Sequence, residues 1–350
     1  MTAYRASDLV AFAGGLFAAA GMPRDRATLV GEILVEADLL GHNTHGLALA
    51  PRYLEELRDG NMKAEGEPEV IADRKAAVTW NGHRLSGVWL TAKAIDLACE
   101  RAREYGTATV AIADAHHIAC LAAYLARATD RGQVLMIVSS DPAVSTVAPY
   151  GGLDAVFTPD PIAVGIPTDG DPILIDMSSS ITTNGMANRL AAAGKRFPGQ
   201  WAQDIGGNAT DDPGVILGGR GGTLLPAGGH DHGHKGYNLA LMVEALSQGL
   251  SGDGRARRPT GWSASVLVQV WEPECFAGIA AFRRETGALA ALAHASRPAP
   301  GVGAVRLPGE RGLARRRAAL ENGVELYPGI MEKLAPWGEK LGVTAPQRKG

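Results

Sequence analysis

The sequence predicts an α/β fold with helical regions at both ends of the chain. Three observations carry this reading. Apolar residues recur at helical spacing near both termini. Between them, helical and strand patterns alternate, as in sheets covered by helices. The 350 residues, 46% apolar and 20% charged, suffice for about two domains and match globular averages.

Taken in order, residues 7–20 and 23–40 read as two helices. Ser7 is the expected N-cap of the first; Pro23 opens the second and Gly41 closes it. The apolar run Leu9 to Met22, preceded by Arg5, has the composition of a signal peptide. Asp8 at its front, the Gly14-Gly15 interruption and the helical recurrence of Leu9, Phe12, Leu16 and Ala20 favour an amphipathic helix instead. A third helix is expected over Leu47 to Arg58. Val70-Ile71 and Ala76 to Trp80 suggest a hairpin around Asp73-Arg74-Lys75. A long helix over 87–105, a strand Ala108 to Ala113, a helix near 119–131 and a strand Val134 to Ser139 follow.

The stretch 140–230 differs. It holds short strands, Ile162 to Ile166 and Ile173 to Asp176, among many Gly, Pro and Asp residues, and 196–232 is nearly patternless. Loops of that length inside a domain are usually functional. Lys235 to Leu250 then reads as a helix and Ala264 to Val270 as a buried strand. Leu289 to Ala293 lies in a further helix that the run Arg297 to Gly301 breaks, and 311–322 and 328–340 are helical. No stretch reaches the ~18 uninterrupted apolar residues of a membrane helix.

With Lys+Arg 34 against Asp+Glu 37, net charge −3, the chain lacks the electrostatic footing of a nucleic-acid binder. Cys99, Cys120 and Cys275 are odd in number without CxxC spacing. That argues against disulfides and a thiolate zinc site, and fits a reducing cytoplasm. Glycine is the outlier: 45 residues, about 13% against a usual ~7%, which suits a ligand site built from loops. Yet neither GxGxxG nor GxxxxGK(S/T) is present. Gly301-Val302-Gly303 lacks the third glycine and follows a proline-rich break rather than a strand. Composition leaves open an enzyme with an unusual ligand site or a binding or structural α/β protein.

The nine histidines include three groups: His42 with His45, the pair His116-His117, and His230, His232 and His234. Any one of them can be an ordinary capping or core residue. His45 lies just past a helix end beside Gly46, and His117 follows a strand end, where α/β proteins place ligands. Two imidazoles in one cleft suit proton transfer to a carbonyl or from an alcohol. His230, His232 and His234 would meet a metal ion only in an extended segment. A solvated loop or a lid over a ligand are the other readings.

Asp38-Leu39-Leu40-Gly41-His42-Asn43-Thr44-His45-Gly46, followed by Pro51-Arg52-Tyr53, resembles the "SHG…PRY" opening of the type-2 malate/L-lactate dehydrogenase family. That family includes ureidoglycolate dehydrogenase, diketogulonate reductase, sulfolactate dehydrogenase and cyclic imino-acid reductases. Ala115-His116-His117 stands at its Ser-Asn-His, Val147 to Gly152 matches "VAPYGG", and Asp160 to Pro167 resembles "NPIAxxIP". Ile175-Asp176-Met177-Ser178 matches "LDMA". Leu225-Pro226, Gly228-Gly229 and His234 to Met242 fit "LPxGGxKGYGLALM", and Arg306 to Glu310 closes the series. The blocks run in order from about residue 5 to 340.

The resemblance implies an NAD- or NADP-dependent oxidoreductase acting on a small 2-hydroxy/2-oxo acid. It also implies a non-Rossmann, mixed-sheet core like that of sulfolactate dehydrogenase, and a homodimer with its sites near the interface. The implied organisation is an N-terminal helical region (1–68), a core α/β unit (69–120 and 235–300), an irregular cofactor-side domain (121–234), and C-terminal helices (301–350) packing on the N-terminal region. Carried over by position, His117 would move the proton and His45 would orient the substrate. Asp176, Met177, Ser178, His234, Lys235, Gly309 and Glu310 would bind the cofactor. Gly236, at a helix start, would offer an N–H to phosphate. No metal is expected.

Departures surround these positions. Thr44 replaces Ser and keeps the hydroxyl, and Leu49 replaces an Arg that would grip the substrate carboxylate. Arg52 is then the alternative cation, beside Thr44 at the substrate end. Asp160 replaces Asn, Ala119 replaces Gly, and His230 to Gly233 are about four extra residues. An altered substrate choice follows as an expectation, with reduction of a cyclic imino acid or a catalytically silent binding protein as alternatives.

Overall fold

The computed structural model describes residues 3–349. The chain begins with a short strand, β1 (Ala3–Tyr4), and two helices, α1 (Ala6–Ala19) and α2 (Arg24–Leu40). Ser7 lies inside α1, whose cap position is Arg5; the Ser7 hydroxyl donates to the neighbouring Asp8 carboxylate instead. Leu9, Leu16 and Phe17 of α1 and Leu34 of α2 are fully buried, each worth roughly 1.5–3 kcal/mol. Gly41 closes α2 in the left-handed conformation, φ 93°, which glycine adopts without penalty.

A 3₁₀ turn over Leu47–Leu49 leads into α3 (Ala50–Arg58), because Pro51 has no N–H to continue the turn before it. Then come β2 (Glu69–Asp73), β3 (Ala77–Asn81), α4 (Gly87–Tyr105) and β4 (Thr107–Ala115). The helix expected near 119–131 is instead a 3₁₀ turn, Leu121–Tyr124, and a single turn α5 (Ala126–Thr129). Its opening N–H, that of Ala122, is drawn to the Asp176 carboxylate. β5 (Val134–Ser140), β6 (Pro161–Ile166) and β7 (Ile173–Ser178) follow.

Residues beyond β7 carry more structure than their pattern suggests. Helix α6 (Asn184–Ala192), unanticipated from sequence, is capped by the Thr183 hydroxyl, which accepts the Met186 N–H at 3.2 Å. The two-residue strands β8 (Ala202–Gln203), β9 (Ala209–Thr210) and β10 (Thr223–Leu224) form a small sheet. The stretch 230–232 is neither extended nor a loop: α7 (Gly229–His232) is one exposed helical turn. Then α8 (His234–Glu244) runs into a π turn ending at Gly249.

β11 (Ala264–Trp271), α9 (Ile279–Ala295), α10 (Glu310–Asn322), β12 (Val324–Glu325) and α11 (Ile330–Leu341) complete the chain. The main sheet is mixed, with order β2-β3-β4-β11-β5-β6-β7. Only β3 and β4 run parallel. β11 arrives from far along the chain to sit between β4 and β5, so β3-α4-β4 is not extended into a run of parallel strands. β1 pairs with β12, α10 packs on α2, and α11 packs on α1 and α3.

Candidate active site

The ends of α2, β4 and β7 converge on one cavity of about 1010 Å³, at the upper end of usual small-molecule sites. Past Gly41 the chain folds back over α2. The buried Asp38 carboxylate accepts the Leu47 N–H at 2.8 Å. A Cβ at Gly46 would lie 2.4 Å from the same carboxylate, so only glycine fits there. The loop thus held presents Thr44 and His45 to the cavity. The Thr44 hydroxyl and His45 Nδ1 share a 2.8 Å hydrogen bond. Burial pushes the His45 pKa down to about 4, with His42 and Arg189 adding charge repulsion.

His117 leaves the end of β4 and faces the same space, its ring 6.1 Å from that of His45. Tyr53 of α3 places its hydroxyl 2.7 Å from His117 Nδ1, and the Ala119 N–H donates to the same atom at 3.3 Å. An amide N–H can only donate. Nδ1 therefore accepts, and the neutral ring carries its proton on Nε2. Burial, then the nearby His45 and His116, hold the His117 pKa well below the usual imidazole value. Trp262, just before β11, stacks on His117 at 4.3 Å, and the Arg52 guanidinium lies 3.8 Å over the Trp262 ring. Beneath them His116 is fully buried, and burial pushes its pKa to about 3. Its 3.4 Å contact with Glu56 is therefore a hydrogen bond from a neutral imidazole rather than an ion pair.

A second part of the lining contains Asp176, Met177 and Ser178 at the end of β7. Asp176 accepts the Ala122 N–H at 2.9 Å; burial raises its pKa, with the nearby His42 opposing. Ser178 donates to the Ser180 carbonyl at 2.7 Å. Two further wall atoms, Thr146 Oγ1 and Asn184 Oδ1, are buried without a hydrogen-bond partner. Such atoms cost ~1–3 kcal/mol unless a ligand satisfies them, which fits a large polar ligand along this wall.

Thr44, His45, Arg52, His117 and 176–178 thus share one cavity, whereas His234, Lys235, Gly309 and Glu310 lie outside its lining in the single chain. Lys235 is exposed, and the His234 ring meets Tyr150 edge-on at 5.7 Å. Gly309, φ 92°, packs on Leu174 of β7. Glu310 binds His294 at 2.6 Å and accepts the Leu307 N–H. Gly236 does not offer its N–H to a ligand: that group donates to the Ala227 carbonyl at 3.1 Å. A Cβ there would meet the Ala227 nitrogen at 2.3 Å. His230, His232 and His234 do not converge as metal ligands.

Of the departures, Leu49 and Ala119 line the cavity, while Asp160 is buried outside its lining. Tyr53, Trp262, Thr146 and Asn184 were not anticipated. Tyr53 adjoins Arg52 in the Pro-Arg-Tyr run, which is a usable signal. Nothing in the sequence links Trp262 to residues 52 and 117; only the insertion of β11 brings it there.

The sequence profile of the malate/L-lactate dehydrogenase family matches residues 4–335. The (2R)-3-sulfolactate dehydrogenase (NADP(+)) of Chromohalobacter salexigens is 33% identical over 325 residues, covering 90% of this chain and 92% of that protein. The malate dehydrogenase structure of Entamoeba histolytica superposes with a TM-score of 0.93 at 23% identity, covering 99% and 100% of the two chains; at that identity the likeness is one of fold. The Δ1-piperideine-2-carboxylate reductase of Pseudomonas syringae pvar. tomato gives 0.83 at 28% identity, over 96% and 100%. Profile, sequence and fold agree over nearly the whole length: the chain belongs to the malate/L-lactate dehydrogenase family.

Proposed function

We propose that this protein is an NAD- or NADP-dependent dehydrogenase that interconverts a small 2-hydroxy acid and its 2-oxo acid. The single observation that carries the reading is the pair of neutral, desolvated imidazoles, 6.1 Å apart, facing one cavity with a guanidinium beside them. The nicotinamide, when bound, supplies the hydride acceptor or donor. Asp176, Met177 and Ser178, with Thr146 and Asn184, would hold it along the second wall.

The chain's own residues divide the remaining work. His117, with Nδ1 occupied by an amide N–H, presents Nε2–H as a fixed donor that polarises the substrate oxygen. His45 can donate its Nδ1–H to the Thr44 hydroxyl, leaving a bare Nε2 to take the proton from the hydroxy acid and return it in the reverse direction. This assignment exchanges the roles expected from resemblance, and the Ala119 N–H is the reason for it. Arg52, aligned by Trp262, would bind the substrate carboxylate in place of the residue lost at Leu49. Holding these groups in one cavity supplies proximity and orientation.

Exposed apolar side chains on α8 (Leu241, Met242) and α9 (Leu289 and Leu292, 64% and 71% exposed) support a homodimer that buries them and brings His234, Lys235, Gly309 and Glu310 near a shared site. Light scattering of the purified protein tests this. Three free cysteines support a reducing, cytoplasmic setting.

Turnover of NADH or NADPH with a panel of 2-oxo acids, followed by loss of nicotinamide absorbance, tests the main reading. Absence of turnover with every acid, together with no dinucleotide binding by calorimetry, overturns it. The same panel should include piperideine- and pyrroline-2-carboxylate, because of the likeness to a piperideine-carboxylate reductase. Reduction of these alone would establish that second reading. Normal dinucleotide binding with no turnover of either class would indicate a silent binding protein.

A further inference from the structure

We propose that His42, Cys120 and Asp176 form a binding site for a borderline-soft divalent cation, with zinc(II) the best match, in the wall of this cavity. The three side chains come from the loop after α2, the segment after β4 and the end of β7. Their ligating atoms all lie within 4.8 Å of one another, and Cys120 Sγ is 3.7 Å from Asp176 Oδ2. A tetrahedral zinc with bonds of about 2.3 Å to sulfur and 2.1 Å to oxygen separates those atoms by about 3.6 Å. The Cys120 thiol donates to Asp176 at this distance, and the same spacing suits two ligands on one ion once the thiol proton is lost.

Among the described residues this is the one set of three or more His, Cys, Asp or Glu side chains that converges so closely. The donor types select the metal: thiolate and imidazole favour zinc, cobalt or cadmium, whereas magnesium and calcium need oxygen donors. The Ala122 N–H bonded to Asp176 fixes the carboxylate, as outer hydrogen bonds do at metal sites. On binding, Cys120 loses its thiol proton to solvent and a sulfur–metal bond forms; no electron changes hands. All three residues line the cavity, so the fourth position opens toward ligand space. The consequence for activity rests on the reading of Asp176 as part of the cofactor wall: ion and dinucleotide would exclude each other, and zinc would act as a reversible inhibitor.

The test uses the full chain freed of metal with a chelator. Cobalt(II) titration should give the near-ultraviolet thiolate charge-transfer band, and calorimetry should give a zinc site of 1:1 stoichiometry. Cys120→Ser should abolish the band. Cys120→Ser and His42→Asn should each weaken zinc at least about ten-fold, while the double variant His230→Asn/His232→Asn should not. Circular dichroism checks that the variants fold, and His42→Asn provides a second probe should Cys120→Ser fail. No band in the parent protein, or zinc affinity unchanged in both variants, overturns the site. In the activity arm zinc should raise the KM for the dinucleotide without lowering kcat. A band and tight zinc binding without that competition would leave the site standing and remove Asp176 from the cofactor wall. Absence of dinucleotide turnover would strike the functional reading alone.

Discussion

The two walls of the cavity are built by opposite means. The wall bearing His45 and His117 rests on helices and central strands, and its supporting side chains, Tyr53, Tyr124 and Leu47, are among the largest fully buried ones. The second wall rests at the sheet edge on β7 and then on a segment of two-residue strands. Its buried apolar groups form a small separate cluster around Val147, Phe157, Phe197 and Leu224, and eight positive-φ glycines fall between Gly151 and Gly229. Proton transfer needs donors fixed within tenths of an ångström, which dense packing supplies. A long polar ligand needs backbone that can approach it, which glycine-rich turns supply. The contrast predicts that substitutions of the imidazoles on the first wall act on kcat and those on the second wall act on the KM for the dinucleotide.

The largest effect should follow removal of an imidazole. His45→Ala should lower kcat by roughly 10²–10⁴, the usual contribution of a positioned acid or base, whereas Thr146→Val on the other wall should leave kcat within a few-fold and raise the dinucleotide KM. Comparable kcat losses in both would break the contrast. His45 also sets a pH signature. Its pKa is pushed down to about 4, so the free protein holds it as a neutral base at neutral pH. The kcat/KM for oxidation of the hydroxy acid should stay flat above about pH 5 and fall as pH drops through 4.

Asp160 tests the junction of the two walls. It is fully buried at the start of β6, and burial, with the like charge of Glu244, pushes its pKa up to about 7. In the unfolded chain the group titrates near 3.8. Between those values the folded protein holds a proton that the unfolded chain has released, so stability falls as pH rises from about 4 to 7. The loss amounts to roughly 4 kcal/mol above pH 7. Asp160→Asn removes the titration while leaving one unpaired amide nitrogen, at ~1–3 kcal/mol, because Oδ2 has no partner now. A net gain of about 1–3 kcal/mol is expected at pH 8 and none at pH 4, read from denaturant melts. An equal shift at both values would show that Asp160 is not the titrating group.

Arg52 separates substrate from cofactor. Arg52→Met keeps an apolar stem on Trp262 but removes a charged hydrogen bond worth ~1.5–3 kcal/mol. The KM for the 2-oxo acid should rise about 10- to 100-fold while that for the dinucleotide holds. An unchanged acid KM would mean that another group grips the carboxylate. Tyr53→Phe removes the hydroxyl beside His117 Nδ1 but leaves the Ala119 N–H, so kcat should fall only about five-fold, near 1 kcal/mol.

The imprint of the structure on the sequence also differs between the two walls. Helical and strand periodicities located every long element of the main sheet, from α4 and β4 to β11, because dense cores impose regular patterns. His45, His117 and 176–178 were legible through linear motifs. The rest of the second wall was not: β8 to β10 are two residues each, α6 hides behind a Thr cap, and short elements held by tertiary contacts leave no period to detect. Trp262 was invisible for another reason. Its partners lie more than 140 residues away, joined only by the entry of β11 between β4 and β5.

The smallest expected effect is the sharpest probe of the His117 tautomer. Ala119 has φ 59°, a left-handed conformation that costs a non-glycine residue about 1–2 kcal/mol. Glycine would relieve that strain, but it frees the unfolded chain by ~0.4–1 kcal/mol and removes a buried methyl worth about 0.8 kcal/mol. These terms nearly cancel, so Ala119→Gly should change stability by less than about 1 kcal/mol and leave kcat within a few-fold, since its N–H still meets His117 Nδ1. Ala119→Val cannot reach the same backbone conformation without larger strain. It should lower both stability and kcat as the amide leaves Nδ1 and the ring loses its fixed tautomer. A kcat in Ala119→Val equal to that of Ala119→Gly, with the fold intact, would show that the amide does not set the tautomer of His117, and the division of roles between the two histidines would fall with it.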